Sequence, residues 1–329
     1  MEPNQEKEVL LQWAKTFNTR TVRIDRTPIS RFVNESWHAD LTKYWNLALL
    51  SRASNRYPTY SEIAKKLVFK VRVKIERSIA KSIELSIGEG SIALEDLFDS
   101  SFFSESIKQG LSLRMPLSSC NPTSNCHWSC YAHDGMDAGR YPVIKGAING
   151  VVARLYEDGS DALRNRILSL LQRTTETAIR KSLRERDKAD FRREPRIRFS
   201  HVGEVAEFPQ FANAFASMVN KLSNGEVQCV VYTRHQNACL LDEKLFVVNF
   251  TLDRDSEERR SWVPNNARLV YTAWDGVCDN TVAVNFLEHH RFSHAAVRKA
   301  GSICPVTLPE TQLKTCDAAK CDLCFRKTN

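Results

Sequence analysis

Seven of the ten cysteines in this 329-residue chain fall in two short segments, and this clustering constrains the fold more than any other feature. The first segment has the spacing C-x5-C-x3-C, and the second lies within the last 26 residues. Thiolates gathered at such spacings predict a bound metal, because the ligands must converge on one point. The two groups are Cys120, Cys126 and Cys130, and Cys304, Cys316, Cys321 and Cys324.

Composition predicts a cytoplasmic protein that binds no membrane. Hydrophobic residues make up 42% of the chain, but they form no apolar run long enough for a transmembrane helix. The first eight residues are acidic and polar, unlike a signal peptide. In the reducing cytoplasm the cysteines are expected to serve metal binding or catalysis rather than disulfides.

The net charge of +8 and the pI near 9.0 favour anionic partners such as nucleic acid. The excess is concentrated in segment 162–198, where twelve basic residues face five acidic ones. The alternative is a solvated helix whose charges pair elsewhere. The candidate nucleic-acid contacts are Arg180, Arg184, Arg192 and Arg193.

The order of predicted elements indicates an α/β fold. Residues 1–110 are expected to be mainly helical, and residues 301–329 to form a cysteine-rich metal module. Between them, strands near 111–117, 197–201, 227–232, 245–250, 268–271 and 282–286 alternate with helices near 143–156, 162–183 and 208–222. This alternation predicts a 111–300 core that is either a partial (βα) barrel or a mainly parallel sheet.

The first cysteine group favours a [4Fe–4S] cluster over zinc, because zinc sites usually contain C-x2-C pairs and this loop has none. Three thiolates leave such a cluster one ligand short. The C-terminal cysteines, S-adenosylmethionine, His127 or His133 remain open as the fourth ligand. The loop directly follows a predicted strand, which puts the metal at the carboxyl end of the sheet.

The second cysteine group contains enough ligands for a complete site of its own. Cys304-Pro305 is typical of iron–sulfur ligation, whereas the Cys321-x2-Cys324 pair also suits zinc. Both metals therefore stay open there, with iron–sulfur favoured. The remaining cysteines, Cys229, Cys239 and Cys278, are expected to be ordinary core residues.

Several ordered motifs resemble a family of phage and plasmid proteins named for gene product eighty-eight of a mycobacteriophage. They are Cys130-Tyr131-Ala132, Gly139-Arg140-Tyr141-Pro142, Arg198 to Glu204, Val231-Tyr232-Thr233-Arg234, and Cys304-Pro305 to Cys324-Phe325. The resemblance covers residues 110–329 and implies a cluster-binding α/β core. It implies no particular reaction.

A more distant likeness connects the chain with radical S-adenosylmethionine enzymes. Gly203-Glu204 follows a predicted strand, where those enzymes carry a glycine–glutamate motif. Their cysteine spacing, C-x3-C-x2-C, differs from the spacing here, and this departure weighs against S-adenosylmethionine binding. A glutamate that caps a helix is the simpler explanation of the second motif residue.

Polar residues at the ends of successive predicted strands form the candidate active site. His201, Glu204 and Arg234 are the predicted catalytic residues, with Tyr232 and His235 beside them. Such a set suits an anionic substrate, with Glu204 as a base. Taken singly, each is more often a capping or solvated residue. His289, His290 and His294 are expected to be surface residues.

Two functional hypotheses follow. The first is an iron–sulfur protein of phage or plasmid type, a radical-type enzyme that acts on nucleic acid. The second is a metal-stabilised regulator or anti-host factor that binds nucleic acid without catalysis. No carboxylate–histidine motif supports a third hypothesis, a zinc-dependent nuclease.

Overall fold

The computed structural model describes residue 8 and residues 35–53, 58–98, 102–106, 110–128, 130–133, 135–188, 194–273, 278–279, 281–287, 303–304, 319–321 and 324. The chain divides into two compact units. Unit 1 comprises Met1–Ser101, Met115–Ser119 and Cys126–Val152. Unit 2 comprises Phe102–Arg114, Cys120–Asn125 and Ala153–Asn329.

The described helices and strands alternate from the middle of the chain onward. The helices are α1 (Glu35–Arg52), α2 (Pro58–Gly88), α3 (Ser124–Trp128), α4 (Arg140–Glu157), α5 (Asp161–Lys188) and α6 (Pro209–Leu222). The strands are β1 (Phe103–Ser106), β2 (Gly110–Leu113), β3 (Arg196–Phe199), β4 (Gln228–Thr233), β5 (Phe246–Leu252), β6 (Arg268–Ala273) and β7 (Val284–Leu287). Short 3₁₀ helices connect several of them.

The predicted α/β fold is confirmed as a mainly parallel sheet. Its seven strands lie in chain order from β1 to β7. β2 to β7 run parallel, and β1 pairs with β2 antiparallel. All six predicted strands and all three predicted core helices are present within a few residues, but β1 was not predicted.

The core of unit 2 lies between one face of the sheet and α6. Phe211, Phe215 and Val219 recur at helical spacing and are buried. The ring of Phe215 lies 5.4 Å from that of Phe199 on β3, which in turn lies 5.2 Å from Phe246 on β5. Pro209 begins the helix, where a missing N–H costs no hydrogen bond.

Helix α2 in unit 1 confirms the helical prediction for this segment and corrects one half of the face that it buries. An apolar stripe at every fourth residue predicted burial of Ile63, Leu67, Val71, Ile75, Ile79 and Ile83. The last three are buried, whereas the first three are half-buried and the buried positions beside them are Ala64, Val68 and the charged pair Arg72 and Glu76. Hydrophobicity patterns miss this part of the face because Arg72 and Glu76 are charged. Among the described residues, no helix is long and apolar enough to cross a membrane.

Candidate functional site

A buried ion pair at the carboxyl end of the sheet holds the start of the cysteine loop within unit 2. Arg234, after β4, donates through Nη1 to Asp253, which directly follows β5 and is completely buried. Thr123 donates its hydroxyl to Asp253 Oδ2 at 2.7 Å. Arg234 Nη2 also donates to the hydroxyl of Thr272 on β6 at 3.2 Å. Three strand ends and the loop therefore share one network.

Two further contacts attach the same loop to the segment after β5. Arg259 Nη1 donates to the carbonyl of Asn121 at 2.7 Å. The amide of Asn125 donates to Asp255 Oδ2 at 2.8 Å. Residues 120–125, which include Cys120, thus lie at the carboxyl edge of the parallel strands, as the sequence predicted for this part of the loop.

Glu204 is buried at the same edge, in the connection after β3. Its Oε1 accepts from the backbone N–H of Arg234 at 3.2 Å. Burial raises the pKa of this carboxyl to about 7, although the Thr233 hydroxyl and the charges of Arg234 and Arg198 lower it. Glu204 is therefore suited to exchange a proton near neutral pH.

The two histidines of the predicted site, His201 and His235, make different contacts. The backbone N–H of His201 donates to the Leu113 carbonyl at 2.8 Å, which continues the pairing of β3 with β2. His235 Nε2 lies 2.9 Å from a carboxylate oxygen of Glu207. Burial lowers the pKa of His235 despite this partner. The structure therefore brings Glu204 and Arg234 together directly, while His235 pairs with Glu207.

In unit 1, a fully buried ion pair on α2 holds the segments on either side of Cys126 and Cys130. Arg72 Nε donates to Glu76 Oε1 at 2.8 Å, and both side chains are 0% exposed. Arg72 Nη1 donates to the carbonyls of Ala132 at 2.6 Å and Asp137 at 3.1 Å. Glu76 Oε2 accepts from the backbone N–H of Ser118 at 3.2 Å.

Cys130 lies in a setting that disfavours a free thiolate. Burial and the nearby Cys126 raise the pKa of the Cys130 thiol to about 12, while the charge of Arg72 lowers it. A metal ion would reverse this preference, since a coordinating thiol loses its proton outright. Arg72 would then supply a positive charge beside the bound thiolate.

Two histidines accompany these cysteines. His133 Nδ1 lies 3.0 Å from the Tyr44 hydroxyl. The ring of Phe69 lies 4.4 Å from that of His127 and 6.1 Å from that of His133. Burial lowers the pKa of both histidines, so both are held neutral. Their Nε2 atoms are buried and, within the described residues, accept or donate no hydrogen bond. This is the form in which histidine binds metal.

No group of three or more His, Cys, Asp or Glu side chains within the described ranges is arranged to hold a metal ion. Cys316, His289, His290 and His294 lie outside those ranges. In unit 1, Cys126 and Cys130 with His127 or His133 have the donor chemistry that an iron–sulfur cluster or zinc requires. Cys120 belongs to unit 2.

Three of the four C-terminal cysteines lie near one another, and one of them contacts the sheet. Burial raises the pKa of Cys324 to about 11; a hydrogen bond from Tyr232 lowers it, and Cys304 and Cys321 are close enough to raise it. The amide of Asn249 on β5 donates to the Cys324 carbonyl at 3.0 Å. Tyr232 and Asn249 occupy paired positions on neighbouring strands, so they share one face.

The other cysteines separate into two kinds. Cys229 on β4 is 2% exposed, and Cys278 packs against the cluster formed by Phe250 and Tyr271, as expected for core residues. The same prediction was wrong for Cys239, which is exposed in the 3₁₀ helix Gln236–Leu240. An apolar neighbour in sequence did not imply burial there, because the segment is a surface turn.

The basic segment is mostly the helix α5. Arg180 and Arg184 are exposed, together with Arg166 and Arg173, and the spacing of seven, seven and four residues puts these four on one helix face. Other charges pair internally: Arg186 Nη1 contacts Glu226 at 2.8 Å. Arg192 and Arg193 lie outside the described residues.

A cavity of about 390 Å³ opens at the other end of the sheet, near the starts of β5 and β6. It is lined by Lys244, Asn266 and Arg268, among others, and by none of the predicted catalytic residues. We therefore place the candidate site at the carboxyl edge, where buried ionisable groups converge, rather than at this cavity.

No family model, curated protein or solved structure matches this chain.

Sequence reasoning missed the two ion pairs that organise both units. Asp253 directly follows β5, whose end lies two residues beyond the predicted strand 245–250, and the rule that polar groups gather at strand ends would have found it with the longer strand. Arg72 and Glu76 carry no such signal, since an i, i+4 pair of opposite charges is typical of a solvated helix.

The buried pair in unit 1 predicts a large effect of either single substitution. We expect Arg72→Met or Glu76→Leu to lower the free energy of unfolding by about 3–5 kcal/mol, because each leaves one buried charge without its partner. The double variant should lose less than either single one. Urea unfolding measures these changes. Lys74→Met, at an exposed position of the same helix, is the control, and an Arg72→Met loss no larger than that of this control would contradict the prediction.

The raised pKa of Glu204 predicts a pH-dependent stability. Below about pH 4.5 the carboxyl is protonated in both the folded and the unfolded chain, so it contributes nothing. Between about pH 4.5 and pH 7 only the unfolded chain releases this proton. The free energy of unfolding therefore falls by about 3 kcal/mol in total across this range. The stability of Glu204→Gln relative to the parent protein should therefore rise across this window and then level off.

Urea unfolding at several pH values tests this, with the exposed Glu243→Gln as the control. A difference between Glu204→Gln and the parent that is constant from pH 4.5 to 7 would show that Glu204 titrates normally.

Proposed function

We propose that this chain is an iron–sulfur protein of the phage and plasmid type, in which a partial (βα) barrel carries a [4Fe–4S] cluster on Cys120, Cys126 and Cys130. The C-terminal module, with Cys304, Cys316, Cys321 and Cys324, would hold a second cluster or zinc. Six parallel strands in chain order support this proposal, because barrels and partial barrels are built in that order.

One observation carries the proposal: the Asp253 network attaches residues 120–125 to the carboxyl ends of β4, β5 and β6. In parallel α/β proteins this edge is where substrates and cofactors bind. The neutral histidines and the buried thiols of unit 1 have the donor chemistry that metal binding uses.

The enzymatic version assigns roles to the groups at that edge. The cluster would supply one-electron transfer to a bound cofactor. Glu204, with a pKa near 7, would accept or return a proton of the substrate. Arg234 would orient Glu204 through its backbone N–H, while Asp253 fixes its guanidinium. His201 follows β3 at the same edge and would contact the substrate.

A second candidate function is a metal-stabilised regulator or anti-host factor without catalysis. Internal pairing of the edge residues favours it, since Arg234 binds Asp253 and His235 binds Glu207. Either version would bind nucleic acid through the exposed arginines of α5, which have the spacing to follow a phosphate backbone.

The metal is tested first. We expect protein purified without oxygen to be brown and to contain iron and acid-labile sulfide, and Cys126→Ala or Cys130→Ala to remove the iron of the first cluster. Cys229→Ala, at a buried position on β4, is the control and should keep its metal. It should lose only about 1 kcal/mol of stability. Stoichiometric zinc without iron or sulfide would contradict the proposal.

The α5 surface is tested separately. We expect the parent protein to bind labelled DNA or RNA more weakly as salt rises from about 50 to 200 mM, because each phosphate contact releases counterions. Reversal of charge at Arg180, Arg184, Arg192 and Arg193 should weaken binding at low salt and flatten this dependence. Lys221→Glu, at an exposed site of α6, is the control. Affinity that responds to neither salt nor the four reversals would exclude this segment as the interface.

A further inference from the structure

Helix α2 in unit 1 presents a second basic surface, which segment 162–198 does not include. Lys66, Lys70, Lys74, Arg77 and Lys81 are all exposed. At 100° per residue these five positions fall within an arc of about 80°, and they extend along about 22 Å of the helix. We call this set the α2 basic stripe.

The stripe is unusual for a helix face that only meets water. Exposed helices normally alternate charges, so that acidic and basic residues pair at i and i+4. Here Lys66, Lys70 and Lys74 repeat at i+4, as do Arg77 and Lys81. Each such like-charge neighbour destabilises the helix.

Acidic residues do not neutralise the middle of the stripe. Glu62 and Glu84 lie on the same face, but only at its two ends. Between Lys66 and Lys81 the only acidic residue is Glu76, which is buried against Arg72. Within the described part of the chain, none of the five stripe residues forms an ion pair. A polyanion would remove the repulsion along the whole stripe.

The side of α2 next to the α2 basic stripe contacts the cysteine loop. Phe69, which precedes Lys70 on α2, holds its ring 4.4 Å from that of His127, which follows Cys126. Lys65, about 100° round the helix from Lys66, holds its ammonium 5.4 Å from the ring centre of Trp128. Anything bound along the stripe therefore has a short path to the segment that carries Cys126 and Cys130.

Two aromatic side chains of that segment are exposed rather than buried in the core. Trp128 is 37% exposed and Tyr131 is 48% exposed; Trp128 lies two residues before Cys130 and Tyr131 directly after it. Basic residues that follow a backbone, combined with exposed aromatic rings, are the means by which proteins bind single-stranded nucleic acid. A duplex would use the phosphate contacts but would offer no unstacked base to the rings.

We infer that the α2 basic stripe binds single-stranded nucleic acid and that Trp128 and Tyr131 stack on its bases beside the cysteine loop. This inference rests on the nucleic-acid part of the proposed function, but it assigns a different surface and names the strand state of the partner. A stacked strand rises 3.4 Å per nucleotide, so the stripe covers about six nucleotides.

The test compares two variants of equal charge change in the full-length protein. The first neutralises the stripe with Lys66→Gln, Lys70→Gln, Lys74→Gln and Lys81→Gln. The second neutralises α5 with Arg166→Gln, Arg173→Gln, Arg180→Gln and Arg184→Gln. All eight positions are exposed, so both variants should fold, which circular dichroism and urea unfolding confirm. The probes are a labelled oligothymidine of about 16 nucleotides, a usual single-strand site size, and a duplex of the same length.

We expect the stripe variant to lose at least about tenfold in affinity for oligothymidine near 0.1 M salt and to flatten its salt dependence by about 0.7 per lost contact. Its affinity for the duplex should change less. Trp128→Leu with Tyr131→Leu should reduce the preference for single strands by about fivefold or more, because the stacking of bases on the two rings is lost. Tyr60→Leu, an exposed aromatic residue at the start of α2, is the matched control.

The possible outcomes are distinct. A stripe variant that binds oligothymidine like the parent protein overturns the inference, and if the α5 variant alone loses binding, the proposed function survives. Equal losses for single strand and duplex overturn the single-strand assignment. Binding to phosphatidylserine vesicles but not to either nucleic acid, lost in the stripe variant, identifies a membrane surface and overturns the inference. A parent protein that binds no nucleic acid refutes both surfaces, while its iron content still decides the metal proposal.

Discussion

The carboxylate of Asp253 organises unit 2, because three strand ends and the cysteine loop depend on it. A buried carboxylate is tolerated only when cations and hydrogen-bond donors surround it. Arg234 provides the cation, and Thr123 and Ser256 provide hydroxyl donors. The backbone N–H of Asp255 adds a fourth contact and starts the 3₁₀ helix after β5. The position of the loop and the rotamer of Arg234 therefore follow from the need to satisfy one charge.

In unit 1 the central buried charge is a cation. The guanidinium of Arg72 cannot lose its proton, so its burial requires acceptors in several directions. Glu76 and the carbonyls of Ala132 and Asp137 supply them. Because two of these acceptors lie in the chain after Cys130, folding of α2 also fixes the end of the cysteine loop. A thiolate formed at Cys130 would find a compensating charge already in position.

The sequence predicted most of the strand and helix positions, because apolar runs and helical spacing report directly on burial. Its errors have three separate physical causes. In the first half of α2 the buried face was assigned one position off, since the charged Arg72 belongs to it, whereas Ile75, Ile79 and Ile83 were assigned correctly. Cys239 was expected in the core, although a short surface turn exposes it. β1 escaped notice because its four residues, Phe103–Ser106, alternate too briefly to form a pattern. Of the candidate site, Glu204 and Arg234 were found from their place after strands, whereas Asp253 was not.

The chain order of the strands has a consequence for how unit 2 assembles. From β3 to β7 each strand pairs with the one before it in the sequence, so this part can grow stepwise, one strand at a time. The junction between β2 and β3 is different, because residues 114–195 must be enclosed before the two strands meet. Loop-closure entropy rises only slowly with length, so the penalty is modest, but the closure still depends on a segment that contains three cysteines. A metal bound there would shorten the effective loop, and cluster insertion would then act as a step in folding as well as in function.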